Sequence, residues 1–175
     1  MAKWTIDPTH SEVLFKVKHL MITNVTGSFG KFEGSVESNT DDFSDAVITF
    51  SADIDSIDTN QAQRDGHLKS ADFFDAEKFP KLDFVSTSFT KTSDKDYNLK
   101  GNLTLKGVTK PVSLKVEFGG FAVDSYGQSK AGFDVTGAFN RSEFGLTWSA
   151  VTEAGSIVVS DEVKLLATIQ VIKQA

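Results

Sequence analysis

About eight short runs of this chain alternate apolar and polar residues one by one, the period of a strand with one buried face. They fall at 12–22, 27–37, 46–54, 82–90, 97–105, 112–123, 129–140 and 162–172. In EVLFKVKHLMI, Val13, Phe15, Val17 and His19 share one face while Lys16 and Lys18 take the other. Ile48, Phe50, Ala52 and Ile54 share a face of AVITFSADI, and Leu99, Gly101, Leu103 and Leu105 are in phase in YNLKGNLTL. Short polar turns join the runs, and Pro111 stands at a strand start, where its missing donor does least harm. About eight such strands predict an all-β, eight-stranded antiparallel barrel filling the whole chain, 1–175, as one domain. A barrel of that size has an interior that side chains just fill or that holds one small ligand.

The aromatic balance bears on which of these applies. Fifteen Phe stand against two Tyr and two Trp, a bias toward rings without a polar tip and hence toward wholly apolar surroundings. Either a Phe-rich core or a core with an apolar ligand cavity satisfies it. Phe15, Val17, Phe50 and Phe84 are the candidates to face inward.

One stretch breaks the alternation. RDGHLKSADFFDAEKFP (64–80) puts Arg, Asp, His and Lys into six positions ahead of a Phe pair. Thr59 or Asn60 is a plausible N-cap, Arg64, His67 and Leu68 share a helical face, and Asp65 to Lys69 has the spacing of an i,i+4 pair. Asp72 is placed to cap a second turn carrying Phe73 and Phe74, which Pro80 ends. The expectation is a short amphipathic helical insert at about 60–78 capping the barrel mouth.

The formal charge of −6, with basic residues scattered singly, argues against nucleic acid and against electrostatic docking on anionic membranes. Without cysteine there is no disulfide, thiolate nucleophile or Cys-ligated metal. The N-terminus shows no apolar leader core, which gives an expectation of a soluble cytoplasmic protein, or a periplasmic one if a signal has been trimmed. The three histidines form no metal-binding motif, so neither metal nor cofactor is expected. His19 reads either as a hydrogen-bonded core histidine or as a polar handle for a ligand. Asp65 with His67, or Asp72 with Asp75, is an acid–base pairing that an enzyme reading can use, and GxSxG is absent. In NRSEFG (140–145), Arg141 either ties down backbone carbonyls or Glu143 at a corner, with Gly145 in a permissive conformation, or contacts a ligand.

Five motifs in order carry a resemblance across essentially the whole length. They are WTIDPTHS (4–11) running into VLFKVKH (13–19), VTGSFGKFEG (25–34), RDGHLKSADFFDAEKFP (64–80), GNLTLKGVTKPV (101–112) and FNRSEFG (139–145). The chain resembles the YceI-like, polyisoprenoid-binding family, many members of which carry a signal peptide. The resemblance implies a lipocalin-like barrel, often dimeric, that binds a polyisoprenoid, isoprenoid quinone or fatty-acid-like chain and is without a known catalytic activity. Because a lipid head cannot be buried unpaired, Arg64 and His67 on one face of the capping helix are expected to meet the polar end of the lipid while Phe73 and Phe74 close over its chain. A small-molecule enzyme and a filled barrel serving a structural or interaction role are the alternatives.

Overall fold

The computed structural model describes residues 2–20, 22–147 and 159–175. Its strands are β1 (Ala2–Ile6), β2 (Glu12–His19), β3 (Thr23–Phe29), β4 (Phe32–Ser38), β5 (Val47–Asp53), β6 (Ile57–Asp58), β7 (Lys81–Lys91), β8 (Asp96–Leu105), β9 (Val108–Val123), β10 (Ser129–Asn140) and β11 (Glu162–Lys173). Helix α1 (Ala62–Lys69) lies between β6 and β7. All pairings are antiparallel, in the order β1-β4-β5-β7-β8-β9-β10-β11, and β11 returns to β1 through Trp4↔Lys173 and Ile6↔Val171. The sheet therefore closes as an eight-stranded barrel.

The three strand segments outside that ring extend it. β11 pairs with β2 as well (Lys164↔Lys16), β2 with β3 (Phe15↔Gly27), and β3 with β6 (Phe29↔Ile57). Thus β1–β2, β3–β4 and β5–β6 are each one long strand bent part-way. Two differences from the sequence reading follow. β1 is missing from it, because AKWTI offers only two inward positions, Trp4 and Ile6, and its partners lie at the far end of the chain. The run read as 12–22 stops at His19: Leu20 turns with φ 53°, and residue 21 lies outside the described residues.

The bend between β1 and β2 explains the WTIDPTHS motif. Pro8 opens a 3-10 turn, Pro8–His10, for which Asp7 is the cap. One Asp7 carboxylate oxygen accepts from Thr9 N (3.0 Å) and Thr9 Oγ1 (2.7 Å). The other meets His10 Nδ1 at 2.8 Å and Lys130 Nζ at 3.4 Å. Hydrogen bonds from Thr9 and His10, with a smaller one from Lys130, hold its pKa far below the ordinary carboxylate range despite burial. A carboxyl depressed in this way stabilises the fold fully above its unfolded pKa of about 4, and the contribution is lost as pH falls below that.

Inside, β8 alternates most cleanly, with Tyr97, Leu99, Gly101, Leu103 and Leu105 all buried. Close packing on the wall depends on small residues under large ones. A Cβ built on Gly27 would fall inside the ring of Phe15, its direct cross-strand partner. Gly101 lies likewise beneath Phe84, and Gly137 beneath Leu114. The large side chains can then lie flat against the barrel wall instead of projecting across its axis.

One end of the barrel is sealed by the loop between β4 and β5. Phe43 is 1% exposed, at φ 60°. Its ring meets Trp4, Phe118 and Phe133 edge-on at 5.5, 5.9 and 5.4 Å and stacks on Phe121 at 5.7 Å. Tyr97 Oη donates to the Asp42 carbonyl at 2.6 Å, and Asp45 accepts from Ser38 Oγ and the Asn39 amide, which lowers its pKa to about 2.

The other end carries α1, and here the expected amphipathic helix needs correcting. The helix covers only 62–69, its N-cap is Gln61, which accepts from Arg64 N at 3.0 Å, and no residue of it is fully buried. Asp65 accepts from the Thr59 amide at 2.8 Å rather than pairing with Lys69. Asp72 accepts from His67 Nε2 at 3.0 Å rather than capping a turn. The apolar seal comes from the turns after the helix: Phe73 and Ala76 are buried, and Leu68 and Phe74 pack against both core clusters. A helix this short with four charged or histidine side chains has too little apolar face to plug a barrel alone.

Two outcomes follow. Gly27→Ala is expected to destabilise by about 1–3 kcal/mol through overpacking, with much of the loss recovered in the Gly27→Ala, Phe15→Leu double variant; urea titration of the four proteins of the cycle checks it. Asp7→Asn is expected to cost about 1–3 kcal/mol at neutral pH, with the gap to wild type shrinking as pH drops below about 4. A gap that is constant with pH would mean that charge plays no part in the bend.

Candidate functional site: the barrel cavity

The residues that point inward do not fill the barrel. Leu114, Phe133, Val135, Phe139, Leu165 and Ile169 all face the interior, yet each is only half-buried. Their exposed area looks into a cavity of 410 Å³, within the roughly 300–1,000 Å³ typical of small-molecule sites. It runs from Phe43 at the sealed end to α1 and the β10–β11 connection at the other, and most of its lining is Phe, Leu, Val and Ile. The open interior decides between the two readings of the Phe-rich composition: core and cavity coexist.

All ten residues singled out from the sequence line this one cavity. Phe15 and Phe84 are buried wall residues, at 8% and 6% exposure, with Phe15 also 5.6 Å from the Phe29 ring. Val17 and Phe50 are half-buried and face the open space, Phe50 stacked on Phe32 at 6.0 Å. Phe73 and Phe74 lie under α1 at the mouth, where the His67 ring stands edge-on to Phe73 at 5.1 Å.

His19 is not the buried histidine that one reading expected. It ends β2, exposed, at the cavity rim, where its backbone bridges to Val159. Arg64 is held by Thr59: Nε donates to Thr59 Oγ1 at 2.7 Å and Nη2 to the Thr59 carbonyl at 2.6 Å. Thr59 Oγ1 in turn donates to Asp65, so the guanidinium is set by a buried threonine that a carboxylate fixes. The Asp65–His67 dyad does not form, since Asp65 serves Thr59 and His67 serves Asp72.

Arg141 does what the corner reading expects. It is 6% exposed and donates to the carbonyls of Leu146 (2.7 Å), Ser160 (2.9 Å) and Val159 (3.4 Å), while Gly145 takes φ 77°. Burial lowers its pKa, the neighbouring Asp161 opposes this, and the guanidinium lies 5.9 Å from the Phe73 ring centre. Glu143 is not its partner; the carboxylate at this corner is Asp161, which accepts from Ser142 N and Oγ at 2.9 and 2.8 Å. Arg141 therefore clamps both sides of the β10–β11 connection and braces the Phe73 plug.

Phe43 was not among the residues picked from the sequence, although it closes the cavity. The only signal was a single Phe inside the polar stretch SNTDDFSDA, a weak one on its own.

With this geometry in hand, the comparisons with known proteins agree. The model of the YceI-like domain matches residues 4–171. The chain belongs to the YceI-like family. A UPF0312 protein of Staphylococcus aureus strain USA300 is 36% identical over 169 residues, covering 96% of each chain. Among solved structures, the Campylobacter jejuni YceI protein superposes with TM-score 0.77 at 30% identity over 90% of each chain. BcnA of Burkholderia cenocepacia reaches TM-score 0.82 at 24% identity, covering 94% of this chain and 98% of its own, and so shares the fold. In this YceI-like domain the motifs that carry the resemblance include the Asp7 bend, Gly27 under Phe15, and the Arg141 clamp.

The half-buried lining predicts unequal costs of truncation. Phe15→Ala is expected to lose about 3–5 kcal/mol, the cost of a packed aromatic. Phe50→Ala should lose clearly less, because its ring already borders empty space. Denaturant titration of lipid-stripped protein separates them; equal, full-sized losses would mean a closed core at Phe50.

Proposed function

We propose that the barrel binds a long apolar chain, a polyisoprenoid, isoprenoid quinone or fatty-acid-like lipid, for carriage or storage. The observation that carries this reading is the 410 Å³ cavity bounded by half-buried Phe, Leu, Val and Ile. Empty apolar space of this size forgoes dispersion contacts and cavity energy that a hydrocarbon chain would supply. A Saccharophagus degradans domain whose solved structure is that of a polyisoprenoid binding domain shares the fold, with TM-score 0.73 at 14% identity over 98% of both chains. That likeness concerns the barrel, and the apolar cavity lining supports a long hydrocarbon chain as the ligand. Binding rather than catalysis is favoured because, among the described residues, no Asp or Glu lines the cavity.

The test is mass spectrometry of an organic extract of protein purified from its own cells, together with native mass measurement. Lipid near one chain per barrel is the expected result, and the stripped protein should rebind long-chain probes and unfold at higher temperature with them. A stripped protein that takes up no long-chain compound and gains no stability overturns the reading.

A further inference from the structure

At the end of the barrel away from α1, Phe43 stands as a partition. Among the described residues it alone borders both the 410 Å³ cavity and a second hollow of 110 Å³ beyond it, which Ser38, Asn39, Thr40, Asp41 and Lys173 make polar. Its φ of 60° is one that a bulky residue rarely takes and that persists only where the surroundings dictate it. Here they do. Tyr97 Oη donates to the Asp42 carbonyl at 2.6 Å, Ser44 N to Asp42 Oδ1 at 3.0 Å, and Ala46 N to the Phe43 carbonyl at 3.0 Å. Tyr97 is 2% exposed and stacks on Phe89 at 4.4 Å, so the loop is anchored in the barrel wall. The ring itself is held by Trp4, Phe118, Phe121 and Phe133. Swinging it aside would break these contacts together.

From this we infer that the Phe43 ring is the stop that sets how long a chain the barrel accepts. The inference rests on the lipid-binding reading and deepens it, by making one residue the determinant of chain length. Each methylene that enters the cavity gains ~0.8 kcal/mol, about fourfold in affinity. A chain that has reached Phe43 can place no further methylene on that track, because the way on is blocked by a fixed ring and the hollow behind it is polar. Any surplus length stays at the α1 end and gains little. Taking the ring away joins the two hollows and lengthens the track.

The test uses the full chain, stripped of lipid, and the straight-chain saturated acids from decanoic to docosanoic, whose common head group cancels from the comparison. Affinity is read by displacement of a fluorescent probe, with each acid kept below its self-association. In wild type it should rise about fourfold per methylene and then stop rising at one length. In Phe43→Ala that break should move to longer acids while acids shorter than the wild-type break bind as before, and Phe43→Leu should move it less. A break at the same length in Phe43→Ala, or no break in wild type, overturns the inference while leaving lipid binding intact. Failure of every acid to bind overturns the lipid reading itself. A second measurement holds whether or not the Phe43 variants fold. In Trp148→Phe, Trp4 is the one remaining indole, and its ring lies 5.5 Å from that of Phe43. Acids carrying a terminal bromine, a short-range quencher of indole fluorescence, should quench Trp4 increasingly up to the break length and no further beyond it. Quenching that does not depend on chain length overturns Phe43 as the point where the tail stops.

Discussion

Closure through β11 is the constraint on which everything else depends. One face of its ladder pairs with β10 along the whole strand, and the other is shared between β1 and β2 on either side of the Asp7 bend. Because β11 comes from the chain's end and β1–β2 from its start, the ring closes only when the most distant segments meet. Once closed, no edge strand remains in the ring to recruit another chain. The circumference is also fixed at eight strands, close to the size at which ordinary side chains would fill the interior. What keeps it open is local: Gly27, Gly101 and Gly137 let Phe15, Phe84 and Leu114 lie on the wall. The cavity is thus a product of strand number and of small residues placed beneath large ones.

Much of this was legible in the sequence for a simple reason. Period-two alternation is a local property, and in β7 through β11 each strand is long enough to display it. The family motifs likewise pointed to corners that the structure explains. What was hidden depends on contacts distant in sequence or on single residues. β1 shows too few inward positions to announce itself and is defined by partners near residues 36 and 172. Phe43 sits alone in a polar loop, and only Trp4, Phe118 and Phe133, gathered from three other strands, make it a plug. Helical spacing at 60–78 overstated α1, because turn hydrogen bonds from Phe73, Phe74 and Ala76 to Ser70, Leu68 and Lys69 replace a second helix.

The candidate site was legible as a set and less so as roles. All ten chosen residues reach the cavity; for the five on strands, Phe15, Val17, His19, Phe50 and Phe84, the inward phase is readable from alternation. Roles depend on hydrogen bonds, which alternation does not encode. Arg141 and Arg64 look alike in sequence, each beside a carboxylate and near a Phe. In the fold, among the described residues, Arg141 donates to three carbonyls and Arg64 to one threonine, so the first ties the β10–β11 corner together and the second is tied to the residue that leads into α1.

The asymmetry between the two ends has a consequence for how any amphiphile sits. At the Phe43 end the rings of Trp4, Phe118, Phe121 and Phe133 offer no charged partner to a head group within the cavity. Burying a polar head there would cost several kcal/mol of lost hydration, whereas at the α1 end the same head stays near water. The apolar tail faces the reverse choice and gains most where the wall is continuous hydrocarbon. Both terms select one orientation, tail toward Phe43 and head toward α1. A ligand held this way enters tail-first and leaves head-first through the same end, so the corner clamped by Arg141 and the Phe73–Phe74 turns frame the entrance that this orientation uses.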